Sequence, residues 1–177
     1  LGSLIVFVGC GPNMFLSDRD REIKDATQTL ETARDDGQRA KAYSSRGTAY
    51  SETARFSRIS KLISNEAYER LFDLAIKDHN QAVALNPGNA EVYFNRAQAN
   101  YDRGALDLVE NKDGKSWFDA AALDFEQAIK EDPKNSLALD RLGLTYESNG
   151  QDGKAIQAYT QELAFDPFAK QSLADPY

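Results

Sequence analysis

One cysteine, one histidine, one methionine and one tryptophan stand among 177 residues. A lone Cys10 rules out an intrachain disulfide framework and any cysteine-clustered metal centre. His79 is the single histidine, so no histidine cluster offers itself as a metal site or a relay. A glycine-rich phosphate loop, a G-x-S-x-G elbow and an H-E-x-x-H pair are all missing, and no catalytic residue, cofactor or metal is expected. The apolar run Leu1–Gly9 is far too short to cross a bilayer as a helix. Basic residues are outnumbered, 21 against 28 acidic, leaving a net charge of -7. No basic stripe exists to displace counterions from phosphates, so nucleic acid is excluded as a partner.

What remains is an ordinary folding composition, 41% apolar and 28% charged, with length for one domain or for a short stack of helix pairs. The most regular stretch is Ser136 to Pro167. Leu139, Leu142, Gly143 and Tyr146 are followed by Ala155, Tyr159 and Pro167. Gly143 is small where a second helix must cross closely, with Tyr146 and Tyr159 as the knobs beside it. Asn149-Gly150 stops the first helix with a residue tolerant of left-handed backbone, and Pro167 ends the second.

These positions have the W-x-x-L-G-x-x-Y … A-x-x-x-F … P spacing, with Leu139 in the tryptophan place, and the stretch resembles a tetratricopeptide repeat (TPR). One such pair cannot bury its apolar face alone, so copies must stack. The resemblance implies an all-α fold: a right-handed superhelical solenoid of antiparallel helix pairs, about three repeats plus an N-terminal half-repeat helix. Residues 40–167 carry the repeats. The first, 40–89, has Tyr43, Arg46, Gly47 and Tyr50, then Ala75, His79, Ala82 and Pro87. The second, 90–135, has Tyr93, Ala97 and Asn100, then Ala121, Phe125, Ala128 and Pro133; the third, 136–167, is regular.

Gly47 and Ala97 are 50 positions apart, and Ala97 and Gly143 are 46, against about 34 for a plain repeat. The surplus of the first repeat, near 52–71, is rich in helix formers with Phe56, Ile59, Leu62 and Ile63 at helical spacing, so both helices should lengthen by about two turns and meet near Ile63-Ser64-Asn65. The surplus of the second, 104–115, contains Glu110-Asn111-Lys112-Asp113-Gly114 and is expected to be a structured loop or small hairpin. Leu106, Leu108 and Trp117 would pack beneath it, and Ser116 would cap the next helix. A calcium loop aligned on Gly114 fails because Val109 falls where the first carboxylate belongs. Glu162 replaces a small residue, which suits the last repeat of a stack. His79 stands in a large-aromatic place and is expected to be structural. The carboxylates are placed on exposed faces, with Glu126 and Lys130 as an i,i+4 surface pair.

Ahead of the repeats, Ser17 is a candidate N-cap for a helix over 18–35, in which Ala26, Leu30 and Ala33 have the spacing of a second TPR helix. Residues 1–9 have the character of a signal-peptide tail. Phe7-Val8-Gly9-Cys10 is similar to the lipobox of bacterial lipoproteins, although Phe7 stands where an aliphatic residue is usual. That resemblance implies lipidation of Cys10 with palmitate-type chains, a tether over 10–17, and a membrane anchor on the periplasmic or outer-membrane side. The same stretch also reads as a short strand or partner-buried segment with a buried cysteine, in which case the chain is cytoplasmic. The tail 168–177 offers Phe168, Leu173 and Tyr177 to the last helix pair or to a partner.

The TPR resemblance directs Lys41, Ser44, Thr48 and Ser51, then Glu91, Phe94, Asn95, Gln98 and Tyr101, then Leu137, Asp140, Arg141, Leu144 and Glu147 toward a concave groove. Phe94, Asn95, Gln98, Tyr101, Arg141 and Leu144 are the candidate partner-binding residues, suited to an extended peptide or a helix. They serve equally well as packing against the insertions. TPR proteins that grip a C-terminal carboxylate use five Lys, Asn and Arg positions. Asn95 and Arg141 match, but Ser44, Thr48 and Leu137 do not, so that ligand is disfavoured. The implied function is a non-enzymatic, membrane-anchored scaffold that binds another polypeptide, in the manner of lipoproteins assisting envelope, pilus or secretion assembly. A permanent structural subunit of a larger membrane-associated complex is the alternative.

Overall fold

A computed structural model describes residues 14–59 and 64–165, and all seven described elements are helices. They are α1 (Met14–Thr32), α2 (Asp36–Ile59), α3 (Asn65–Leu85), α4 (Ala90–Val109), α5 (Lys115–Glu131), α6 (Ser136–Ser148) and α7 (Asp152–Phe165). Each packs on the next in chain order, and in addition α2 touches α4 and α4 touches α6. Among the described residues the backbones of α1, α3, α5 and α7 stay apart from one another. A stack crowded along one row and splayed along the other curves toward the crowded row, which makes α2, α4 and α6 the inner wall of a solenoid.

The small residues hold the hairpins together. A Cβ at Gly47 would lie 2.8 Å from His79 Cε1, and one at Gly143 would lie 2.4 Å from Tyr159 Cε1. Ala97, their equivalent, is fully buried in a cluster with Phe125, Leu142, Tyr146 and Ala158. The turns between hairpins repeat as well. Asn89 Oδ1 accepts from Glu91 N at 2.9 Å to open α4, and Asn135 Oδ1 accepts from Ala138 N at 3.0 Å to open α6. Within the third hairpin, Gly150 adopts a φ of 68° and closes α6.

Both insertions are helical over most of their described residues, Leu62 and Ile63 of the first lying outside those residues. α2 has 24 residues, α3 has 21 and α4 has 20, against 13 and 14 for α6 and α7. This corrects the expected loop at 104–115: α4 runs on to Val109, and only the turn after it is irregular. Gly104 is a packing residue rather than a breaker, since a Cβ there would meet the Phe118 ring at 3.1 Å, and one at Gly114 would lie 2.5 Å from the Gly104 carbonyl oxygen. Leu106 is buried as expected, but Leu108 is 49% exposed. Ser116 is not a cap. Gly114 takes that place, and Asp113 Oδ1 accepts from Lys115 N at 2.9 Å.

Four further expectations change. Ser17 lies inside α1, which begins at Met14. α1 buries Ile23 and Ala26, Leu30 is only half-buried, and Ala33 falls beyond the helix, which ends at Thr32. Glu126 forms no ion pair with Lys130; it accepts a hydrogen bond from the Tyr146 hydroxyl of α6 instead. Glu162 is 7% exposed, so the last helix does not leave it open to solvent.

The carboxylates are not all on the surface either. Asp78, Asp107 and Asp124 are each under 8% exposed, and each has an arginine partner. Arg46 donates to Asp78 from Nε at 2.6 Å and from Nη2 at 2.9 Å; Arg96 donates to Asp124 at 2.7 and 2.6 Å from the same two nitrogens. Arg46 also stacks over Tyr43 at 5.7 Å, and Arg96 over Tyr93 at 5.8 Å. The hydrogen bonds to the aspartates raise the pKa of both guanidinium groups. Each arginine reaches backward too, Arg46 to Thr27 of α1 at 3.2 Å and Arg96 to Asn80 of α3 at 2.9 Å. Thr27 therefore occupies the place of Asn80, about one helical turn from the register that Leu30 in the His79 place implies. In the third repeat the two charged positions are Leu142 and Ala158, both buried.

Candidate functional site

The inner wall is built from the first helix of each pair, and its helices are tied directly to one another. Asn95 Nδ2 of α4 donates to Ser44 Oγ of α2 at 3.3 Å. Arg55 Nε of α2 lies 3.5 Å from Asp102 of α4, and the Tyr101 hydroxyl lies 3.4 Å from Ser148 Oγ of α6. Much of the expected polar lining thus serves the stack itself. Ser44 and Ser51 are buried rather than open.

The six candidate residues divide between the two roles. Phe94 meets Phe125 edge-on with centroids 5.5 Å apart, and Tyr101 meets Phe118 in the same way at 5.6 Å. Both are half-buried and pack against the core between the second and third hairpins. Gln98 donates to Asp102 Oδ1 at 3.1 Å, along its own helix. Arg141 keeps 39% of its side chain exposed, with Asp140 Oδ2 at 3.9 Å, and Leu144 is half-buried one turn further on. Leu137, at the start of the same helix, is 50% exposed. Across from α6, the Tyr159 hydroxyl donates to Glu147 Oε2 at 3.2 Å. Burial, that hydrogen bond, and the charges of Glu147 and Asp140 together raise its pKa above the ordinary tyrosine value. Cys10, the candidate lipidation site, lies outside the described residues, as do Phe168, Leu173 and Tyr177.

Sequence reasoning missed a polar knot where the two lengthened hairpins meet. Arg103 of α4 pairs with Asp107 one turn on and approaches Glu69 of α3 at 3.3 Å, while its guanidinium lies 5.4 Å from the centre of the Trp117 ring. Trp117 Nε1 donates to Asp107 Oδ2 at 2.9 Å, and Lys112 bridges Glu69 at 2.8 Å and Glu110 at 2.7 Å. Glu69, Asp107 and Glu110 offer carboxylate oxygens within 4.8 Å of one another, close enough to share a cation. Arg103 and Lys112 already sit among them and compensate two of the three charges. The knot's evident work is to lock α3 to α4 and α5.

His79 is 1% exposed, neither ring nitrogen has a hydrogen-bond partner, and its pKa is lowered to about 4, first by burial and then by the charge of Arg96. A neutral ring wedged against Gly47 is a packing element, as the sequence suggested.

Stacked antiparallel helix pairs with small residues at every crossing define a helical-repeat protein. Residues 61–108 and 125–157 each match the tetratricopeptide repeat family. Small glutamine-rich tetratricopeptide repeat-containing protein 2 of Mycosarcoma maydis is 36% identical over 97 residues, 54% of this chain and 24% of that protein. The protein of the same name from Saccharomyces cerevisiae is 33% identical over 103 residues, 58% of this chain and 25% of its own length. The chain therefore spans about a quarter of these relatives. In fold it is similar to the crystal structure of MamA, with a TM-score of 0.64 at 21% identity, covering 88% of this chain and 73% of that one. It is also similar to the second TPR of Spaghetti (RPAP3) bound to the HSP90 peptide SRMEEVD, with a TM-score of 0.50 at 24% identity, covering 84% and 98%. The chain is a tetratricopeptide-repeat protein.

Proposed function

We propose that this protein is a non-enzymatic scaffold that holds a partner polypeptide along the inner wall of α2, α4 and α6. The observation that carries the reading is the row of half-buried or exposed apolar side chains on that wall, Phe94, Tyr101, Leu137 and Leu144, beside the open guanidinium of Arg141. TPR proteins mediate protein–protein interactions, and this fold uses such residues as anchors in a partly desolvated groove. The lipobox-like Phe7-Val8-Gly9-Cys10 supports a finer version in which lipid on Cys10 anchors the scaffold to a membrane, where it assists envelope, pilus or secretion assembly.

The groove is tested by crosslinking pull-down from native membranes with the wild-type chain and with Phe94→Ala/Tyr101→Ala, folding being checked by circular dichroism. Specific partners should be lost from the variant; undiminished capture of every partner rejects the groove. Mass spectrometry of membrane-extracted protein should find a diacyl or triacyl group on Cys10. An unmodified Cys10 in a chain still carrying Leu1–Gly9 rejects the anchor and leaves the scaffold standing.

A further inference from the structure

We propose that the polypeptide held by the α4–α6 end of the inner wall is basic and amphipathic, with lysine or arginine side chains interleaved with apolar ones. This rests on the reading of the wall as a peptide-binding surface and narrows it to one chemistry. On α6, Leu137, Asp140, Leu144 and Glu147 follow at intervals of three and four and so form one stripe. Two apolar residues alternate there with two carboxylates, and the ends of the stripe, Leu137 and Glu147, are exposed. Glu91 adds an exposed carboxylate at the start of α4.

The balance of charge on this part of the wall is one-sided. Among the described residues no lysine or arginine of another helix pairs with Glu91, Asp140 or Glu147. The nearby arginines are committed elsewhere: Arg55 lies against Asp102, Arg96 holds Asp124 and Arg103 holds Asp107. Arg141 alone remains, and it leans toward Asp140.

Tyrosine hydroxyls reach this end of the stripe. Tyr159 donates to Glu147, and Tyr101 lies against Ser148, the next residue of α6. An exposed carboxylate held in place by a tyrosine hydroxyl favours an alkylammonium or guanidinium through charge-assisted hydrogen bonds. An acidic peptide would meet like charge along the same stripe, a juxtaposition that selects against a partner more strongly than attraction selects for one. Asp140 and Glu147 are separated by about 10 Å along the helix, the span of two turns of a partner helix or of three residues of an extended strand. Leu144 between them, and Leu137 one turn before Asp140, take the partner's apolar residues.

The experiment uses the full chain and two labelled synthetic peptides of one pattern, one alternating Lys with Leu and the other Glu with Leu, with affinity read by fluorescence anisotropy at near-physiological salt. Asp140→Lys/Glu147→Lys reverses the stripe. Asp25→Lys/Glu31→Lys makes the same change in net charge on the exposed face of α1, away from the wall. The Lys/Leu peptide should bind wild type, weaken by at least about tenfold with the stripe variant, and stay within about twofold with the α1 variant. Equal loss in both variants means attraction to an acidic surface in general and overturns the proposal. Tighter binding of the Glu/Leu peptide, abolished by Phe94→Ala/Tyr101→Ala, overturns the basic partner but keeps the groove. Failure of both peptides to respond to any wall variant removes the groove reading along with it.

Discussion

The ring of Tyr159 fills the space where a side chain at residue 143 would be: a Cβ on Gly143 would stand 2.4 Å from Tyr159 Cε1 and 2.6 Å from Cζ. Gly143→Ala gains helix propensity but forces the ring aside, and overpacking of this kind costs about 1–3 kcal/mol. Gly153→Ala is the matched control, since its Cβ would meet nothing within 4 Å in the first turn of α7. Urea denaturation should show a lower midpoint for the first variant and an unchanged or raised one for the second.

The Arg96–Asp124 pair is replaced at the equivalent places of the third repeat by Leu142 and Ala158, which gives a natural design for its removal. Asp124→Ala alone strands a largely buried guanidinium and should cost about 3 kcal/mol. Arg96→Leu/Asp124→Ala should recover most of that loss. A double variant no more stable than the single one would mean that the pair is held for more than mutual compensation, Asn80 being the other group Arg96 touches.

His79 sets a pH dependence whose sign is fixed. Its folded pKa, about 4, lies below the ordinary value of 6.5, so the folded chain binds fewer protons than the unfolded one. The stability this neutral ring lends is fully present above pH 6.5 and is lost progressively as pH falls toward 4. The loss between pH 7 and pH 5 should be about 2 kcal/mol. The equivalent residues are Phe125 and Tyr159, so His79→Phe should flatten that slope without loss at pH 7; denaturation midpoints of both proteins across the range are the check.

Trp117→Phe keeps the ring over Arg103 but removes the donor to buried Asp107, and should cost about 1–2 kcal/mol. Hydrogen exchange should rise at the ends of α4 and α5 that carry the knot and stay unchanged in α6 and α7. A uniform rise over all helices would show that the knot is not a local fastening.

How much of this was legible in the sequence depends on the kind of signal. Gly47, Ala97 and Gly143 could be seen because small residues recurred in a fixed relation to tyrosines and prolines, and the structure places all three at helix crossings. The Arg–Asp pairs left a trace as well, Tyr43 and Arg46 repeating as Tyr93 and Arg96, with Asp78 and Asp124 one residue before the large knob. The trace does not by itself read as burial, because a charged residue on a helix is ordinarily solvated. Gly104 misled for another reason. Its lack of a side chain suggested a break, whereas close approach of Phe118 and Gly114 is what requires it, and that contact has no local signature. On the inner wall, the sequence pointed to Phe94 and Tyr101 without showing that each also braces the core.

The unequal helix lengths have a mechanical side. Measured from the crossing residue, α2 continues from Gly47 to Ile59 and α4 from Ala97 to Val109, whereas α6 stops at Ser148, soon after Gly143. The first two pairs therefore stand about 10 Å proud of the third. Glu69, Arg103 and Lys112 clasp α3 to α4 along these overhangs. The third pair has no such overhang to clasp, and at the α5–α6 seam the union rests on the core packing of Phe125, Leu142 and Tyr146 beside the Leu137–Glu147 stripe.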